Sequence, residues 1–166
     1  MIGPRCPMLV LLVVCLVVGL AGRAPAATSQ EKLLDLLKES GLSYTNPDET
    51  GACSVLFRGD KMPVIEVRVA ALEASEGTSA QVLGATLVEK VNDARDWPAA
   101  IFPWLLEKNG LLPRGAFALV GDGKMLVFVD TVPLEGLTKD GLVEMLEVLG
   151  ATVDTLYPDV RNFLNK

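Results

Sequence analysis

Histidine is absent from this 166-residue chain. Without it there is no Ser-His-Asp or Cys-His relay, no HExxH zinc site and no imidazole switch near neutral pH. Aromatic residues are scarce, at 5%, and cysteine occurs three times, at Cys6, Cys15 and Cys53. Basic residues are outnumbered, 15 Lys and Arg against 21 Asp and Glu, so no basic stripe exists to displace phosphate counterions, and nucleic acid is excluded as a partner. What the chain has in abundance is apolar side chains: half of all residues, with a mean hydropathy of +0.37.

That excess is unevenly placed. Eighteen of the first 26 residues are apolar, against 65 of the remaining 140, about 46%, which is ordinary for a globular domain. Arg5 and the amino terminus form a positive start, Met8 to Ala21 is an almost unbroken apolar run, and Ala24-Pro25-Ala26 places small residues where a signal peptidase reads them. Residues 1–26 therefore read as a secretory signal peptide, and residues 27–166 as one exported domain, periplasmic or extracellular. The competing reading is an N-terminal membrane anchor, but about 14 apolar residues make a helix of only ~21 Å against a ~30 Å hydrocarbon core. Val14, standing where a lipidation signal before Cys15 would need a small residue, argues against a lipoprotein.

Removing the leader takes Arg5 and Arg23 with it, leaving 13 basic and 21 acidic groups, a net charge of −8, and no membrane insertion. Cys53 is then the sole cysteine, so no internal disulfide can form. It is either a reactive or intermolecular thiol or a small hydrophobe in a strand, and the lack of neighbouring bases favours the second. A domain of this size needs no disulfide or metal to fold.

Gln30 to Ser40 has a broad Leu stripe and ends at Gly41, a helix with a left-handed C-terminal cap. Ala52 to Arg58 and Val64 to Val69 alternate, with Cys53, Val55 and Phe57 on one face of the first and Ile65, Val67 and Val69 on one face of the second: an antiparallel hairpin. Thr78-Ser79-Ala80-Gln81 has the form of a capping box, predicting a helix with Leu83, Leu87 and Val91 as its stripe. A further helical piece runs from Trp97-Pro98 through Lys108, begun or kinked at Pro103 and closed by Asn109-Gly110. Arg114 to Val120 and Lys124 to Val132 flank Gly121-Asp122-Gly123 as a second hairpin, whose apolar runs predict cover on both faces. Thr138 is placed to cap a last helix carrying Leu142, Met145, Leu146, Leu149, Val153 and Leu156, with Pro158 kinking or ending it. The expected order is α-β-β-α-β-β-α, with room for one extra strand, at Leu42 to Tyr44.

No segment supports catalysis. Gly121-Asp122-Gly123-Lys124 lacks the first Gly and the hydroxyl of a phosphate loop, with Ala118 and Met125 in their places, and reads as a hairpin turn. Asp93 and Asp96 are too few for a calcium loop, and Asp96 is expected to cap the helix at Trp97-Pro98. Trp97, Phe102 and Trp104 form the aromatic cluster, read mainly as core and alternatively as a partner anchor. No catalytic, cofactor or metal site is expected, and the chain is not an enzyme.

Leu105-Leu106-Glu107-Lys108-Asn109, followed by Pro113, then a strand containing Gly115 to Leu119, the Asp122-Gly123 turn, an apolar strand, the Pro133-Leu134 step and a Leu-rich terminal helix, resembles type III secretion chaperone-like domains and their YbjN-type relatives. The resemblance covers roughly the last third of the chain. It implies an α+β fold with helices packed on an antiparallel sheet, commonly dimeric, that binds protein segments and has no catalytic activity. The leader departs from those cytosolic chaperones and points to an envelope partner. The contact residues expected for a partner or a second copy are Phe117, Leu119, Leu126 and Phe128, with Trp97 and Trp104. A small apolar-ligand carrier of the cell envelope is the alternative.

Overall fold

A computed structural model describes residues 27–75 and 78–165; the leader and its cleavage site lie outside them. The described residues form eight elements in the order α1 (Ala27–Ser40), β1 (Cys53–Phe57), β2 (Ile65–Leu72), β3 (Gln81–Lys90), α2 (Ile101–Leu111), β4 (Ala116–Val120), β5 (Met125–Pro133) and α3 (Lys139–Leu164). The strands make one antiparallel sheet in the order β1-β2-β3-β5-β4. Helices α1 and α3 pack against each other and on the sheet, and α2 lies against β4.

Alternation decides which strand residues meet the helices. Cys53 and Val55 of β1, Ile65, Val67 and Val69 of β2, Val82 and Thr86 of β3, and Leu126 and Phe128 of β5 are all buried. Helix α3 faces them with Leu142, Met145, Leu146, Leu149 and Val153, spaced three and four apart and fully buried. Each such side chain contributes about 1.5–3 kcal/mol on leaving water. Leu33 and Leu37 of α1 complete the layer. Thr138 begins α3 as expected, its hydroxyl accepting from the Gly141 N–H at 3.2 Å. Pro158 sits inside that helix, which continues to Leu164. Gly41 closes α1 in the left-handed region at φ 72°, and Leu42 folds back onto the core.

The main departure from the sequence reading is β3. The expected helix after the Thr78-Ser79-Ala80-Gln81 box is a ten-residue strand at the centre of the sheet, between β2 and β5. Thr78 spends its hydroxyl on Ser75, accepting from the Ser75 N–H at 3.0 Å, and caps nothing. A period of two runs through the segment, with Val82, Gly84, Thr86 and Val88 inward, and it prevails over the apolar spacing that mimics a helix. Gly84 makes room for α3: a Cβ would lie 2.4 Å from Leu149 Cδ1 and 2.9 Å from Met145 Cε, so a larger residue there would push both side-chain ends aside. The strand proposed for Leu42 to Tyr44 is reduced to a single bridge, Tyr44 to Val55.

Two smaller corrections concern the segment between β3 and α2. Asp93, not Asp96, is the N-cap, and it opens a 3-10 turn (Ala94–Asp96) in which Asp96 returns a bond to the Asp93 N–H at 2.9 Å. Helix α2 begins at Ile101 with no side-chain cap and runs past Asn109 to Leu111. The other hairpin forms as read, around a turn in which Gly121, Asp122 and Gly123 all have positive φ.

Candidate functional site

The sheet has a second face, and among the described residues no helix packs on it. It is built from the alternate residues of the same strands: Leu56 of β1, Glu66 and Arg68 of β2, Leu83, Ala85 and Leu87 of β3, Met125, Val127 and Val129 of β5, and Ala116, Ala118 and Val120 of β4. Most of these are apolar, and Leu56 and Leu87 are 62% and 47% exposed, as is Val64 beside them at 60%. Burial drives folding, so apolar residues left in water on a contiguous face are the informative feature of this surface.

A groove of about 580 Å³ runs along this face. Leu87, Val120, Met125 and Val127 form its apolar floor, Met62 and Val64 of the β1–β2 loop its wall, and Glu66, Arg68, Glu89 and Lys90 contribute charge. Two devices shape it. A β-bulge between Leu87 and Glu89 puts Val88 and Glu89 opposite Leu126, which turns Glu89 toward α3, where Arg161 donates to it at 2.8 Å. Lys90 then faces the groove side, opposite Met125. The second device is Asp154 of α3, whose carboxylate accepts the backbone N–H groups of Asp60, Lys61 and Met62 at 2.9, 2.8 and 2.7 Å. The Met62 amide, then the burial that opposes it, then the other two amides set its acidity, and the net effect holds Asp154 below the usual carboxylate range. The loop wall thus hangs on one side chain from the opposite layer.

Beyond Arg68 lies a smaller depression lined by Thr50, Ala52, Ala70 and Leu83. Asp48 closes on Arg68 from the loop above, while its other oxygen accepts from the Thr50 N–H, the Thr50 hydroxyl and the Ala52 N–H. Burial pushes Asp48 up, but those hydrogen bonds and Arg68 together hold it below its ordinary value.

The six expected contact residues occupy the other side. Phe117, Leu126, Phe128 and Trp97 are buried, the first three on the helix-covered face, with Phe117 and Phe128 ring centroids 5.0 Å apart. Leu119 and Trp104 are partly buried against the same core, and Trp104 meets Phe117 and Phe163 at 5.8 and 5.7 Å. The expectation that both hairpin faces are covered is therefore corrected. Helices cover one face, and the open face belongs to the intervening residues, because neighbours in a strand point to opposite sides. Trp97 donates from Nε1 to Gly123 O at 2.7 Å, and Phe102 is exposed, so the three aromatics do not form one cluster. Cys53 is fully buried, and burial, with Asp48 nearby, pushes its thiol up, which suits a small core residue. Among the described residues no three His, Cys, Asp or Glu side chains converge on a metal position.

Asn109 escaped the sequence reading except as part of a pattern. Its side chain accepts from Phe117 N–H at 2.7 Å and donates to Phe117 O at 3.0 Å, so an amide from α2 occupies the free edge of β4 as a strand residue would.

By sequence the chain matches no protein-family model and no curated protein. Solved structures do match. A chain of the ExsC–ExsE complex aligns over 82% of this chain and 97% of its own, at 17% identity and a TM-score of 0.57. The Yersinia pestis type III secretion chaperone SycH, in complex with a stable fragment of YscM2, gives 18% identity over 77% of this chain and 98% of the other, with a TM-score of 0.53. The fold is that of the type III secretion chaperones. YbjN, a putative transcription regulator from E. coli, shares it, at 12% identity over 86% of this chain and 93% of its own, with a TM-score of 0.51. The three-helix, five-strand chaperone fold accounts for the central β3 that the sequence reading took for a helix.

Proposed function

We propose that the chain is a non-enzymatic, exported protein-interaction domain of the chaperone-like kind, working as a homodimer and holding a partner or client segment on its open sheet face. The observation that carries this reading is the groove over Leu87, Val127 and Met125, an apolar surface that the helices among the described residues leave uncovered. The fold neighbours support it, since SycH binds a protein fragment and another neighbour is a chaperone–effector complex. Export rests on the leader read from residues 1–26.

Light scattering across concentrations, pull-down from the native envelope and N-terminal sequencing test the three parts. A dimer, a partner lost on Leu87→Asp, and a mature chain starting at Ala27 are expected. A monomer at every concentration that recovers no partner would overturn the interaction reading. The groove volume also falls in the range of small-ligand sites, which favours an apolar-ligand carrier as the second reading. Stabilisation by fatty acids in a thermal-shift screen, with no protein partner, would select it.

A further inference from the structure

We propose that Asn109 is a site of spontaneous deamidation and that its conversion to an acid uncaps the β4 edge. Of the five asparagines in the chain, Asn109 alone precedes a glycine. The pair matters because a glycine amide nitrogen, with no side chain beside it, is free to attack the neighbouring carboxamide. The packing makes no use of Gly110. A Cβ there would meet no atom within 4 Å, and its φ lies outside the left-handed region. A glycine inside a helix also weakens it relative to alanine, so the fold gains nothing from this one.

The reaction balances with water alone. The Gly110 nitrogen gives up its proton to solvent base and attacks Asn109 Cγ, the Cγ–Nδ2 bond breaks, and Nδ2 leaves as ammonia, closing a five-membered imide. Water opens that ring at either carbonyl, giving aspartate or isoaspartate. The folded chain opposes the first step twice. Both ends of the Asn109 carboxamide are held by Phe117, at 2.7 and 3.0 Å, and Gly110 lies inside α2, where its N–H is directed back along the helix. Conversion therefore waits for the last turn of α2 to open, and that turn has little to hold it, with Gly110 and Leu111 both exposed. Neither product restores the cap. An aspartate still accepts from the Phe117 N–H, but it has no proton for Phe117 O and sets oxygen against oxygen. An isoaspartate adds a methylene to the backbone of the turn. The backbone groups of Phe117, and of Leu119 two residues on, point away from β5, so a loosened cap offers them to the β4 edge of a second copy.

The test ages the full chain at mildly alkaline pH, folded and unfolded in urea, and follows Asn109 by peptide mapping with mass spectrometry. Mass is read because Asp122-Gly123 and Asp140-Gly141 can form the same imide and isoaspartate without the change from amide to acid. Conversion should run at least ~10-fold slower in the folded chain, since two hydrogen bonds and a helical turn must open first. Gly110→Ala should slow it severalfold in urea as well, keep native circular dichroism and leave association unchanged. The converted chain, separated by ion exchange through its added negative charge, should form larger species by light scattering than the unconverted chain does, increasingly so with concentration. Asn109→Asp should do the same; if that variant does not fold, the chain converted by ageing in the folded state supplies the measurement. Equal rates in the folded and unfolded chain would overturn the proposal, as would faster conversion at another asparagine in urea. A converted chain that scatters as the unconverted one does overturns the uncapping, and so does Gly110→Ala associating as strongly as the converted chain.

Discussion

Asp154 shows how much one side chain can organise. Three backbone N–H groups of the β1–β2 loop converge on it, and Gly59 lies so near that a Cβ there would sit 2.2 Å from Oδ1. Asp154→Ala should leave the core intact but speed amide exchange at Asp60, Lys61 and Met62 and loosen the groove wall, as hydrogen exchange by mass spectrometry would show. Asp48, Asp93 and Asp154 all have depressed folded pKa values, Asp93 down to about 2 through the Arg95 side chain and then its amide. A depressed folded pKa means that the unfolded chain takes up protons first. The stabilisation is thus complete above the unfolded value of 3.8 and lost as pH falls through the folded values. Acid titration followed by circular dichroism should show stability declining below about pH 4, less steeply in Asp154→Ala. At Gly84 the constraint is steric: Gly84→Val forces Leu149 and Met145 aside and should cost about 1–3 kcal/mol in urea unfolding.

Among the elements, β3 and β4 carry the lessons. The segment Gln81 to Lys90 contains Leu83, Leu87 and Val91 at helical spacing, yet its alternate residues match a sheet with cover on one side and a groove on the other. Both patterns coexist in the letters, and pairing with two neighbours, which no local signal announces, settles between them. The second hairpin had a stronger signal in Gly121-Asp122-Gly123, because a left-handed turn tolerates few other residues. Strand β4 is an edge, and Asn109 blunts it. Asn109→Ala should cost about 1–3 kcal/mol through the unpaired Phe117 amide and carbonyl, and, by exposing the edge, promote concentration-dependent association visible by light scattering.

At the scale of the molecule, the two faces of one sheet divide the labour. The helix-covered face holds the stability: Leu149→Ala, fully buried against Gly84, should cost about 2–5 kcal/mol in chemical denaturation. The open face can be altered with little effect on stability, so Leu87→Asp should change unfolding by less than about 0.5 kcal/mol while removing partner binding. That separation of effects is what a binding surface predicts and a structural one does not.

The letters alone determined the acidic, histidine-free composition, the α1 stripe and its Gly41 cap, both hairpins, the Thr138 cap and the resemblance that foretold the chaperone fold. Each is a local matter of period, turn chemistry or capping. The expected contact residues Phe117, Leu119, Leu126 and Phe128 lie on the helix-covered face; they are as apolar as Met125, Val127 and Leu87, and composition cannot say which set a helix will cover. Only the docking of α1 and α3, with Gly84 leaving room for Leu149 and Met145, decided that, and it left the other set on the groove side.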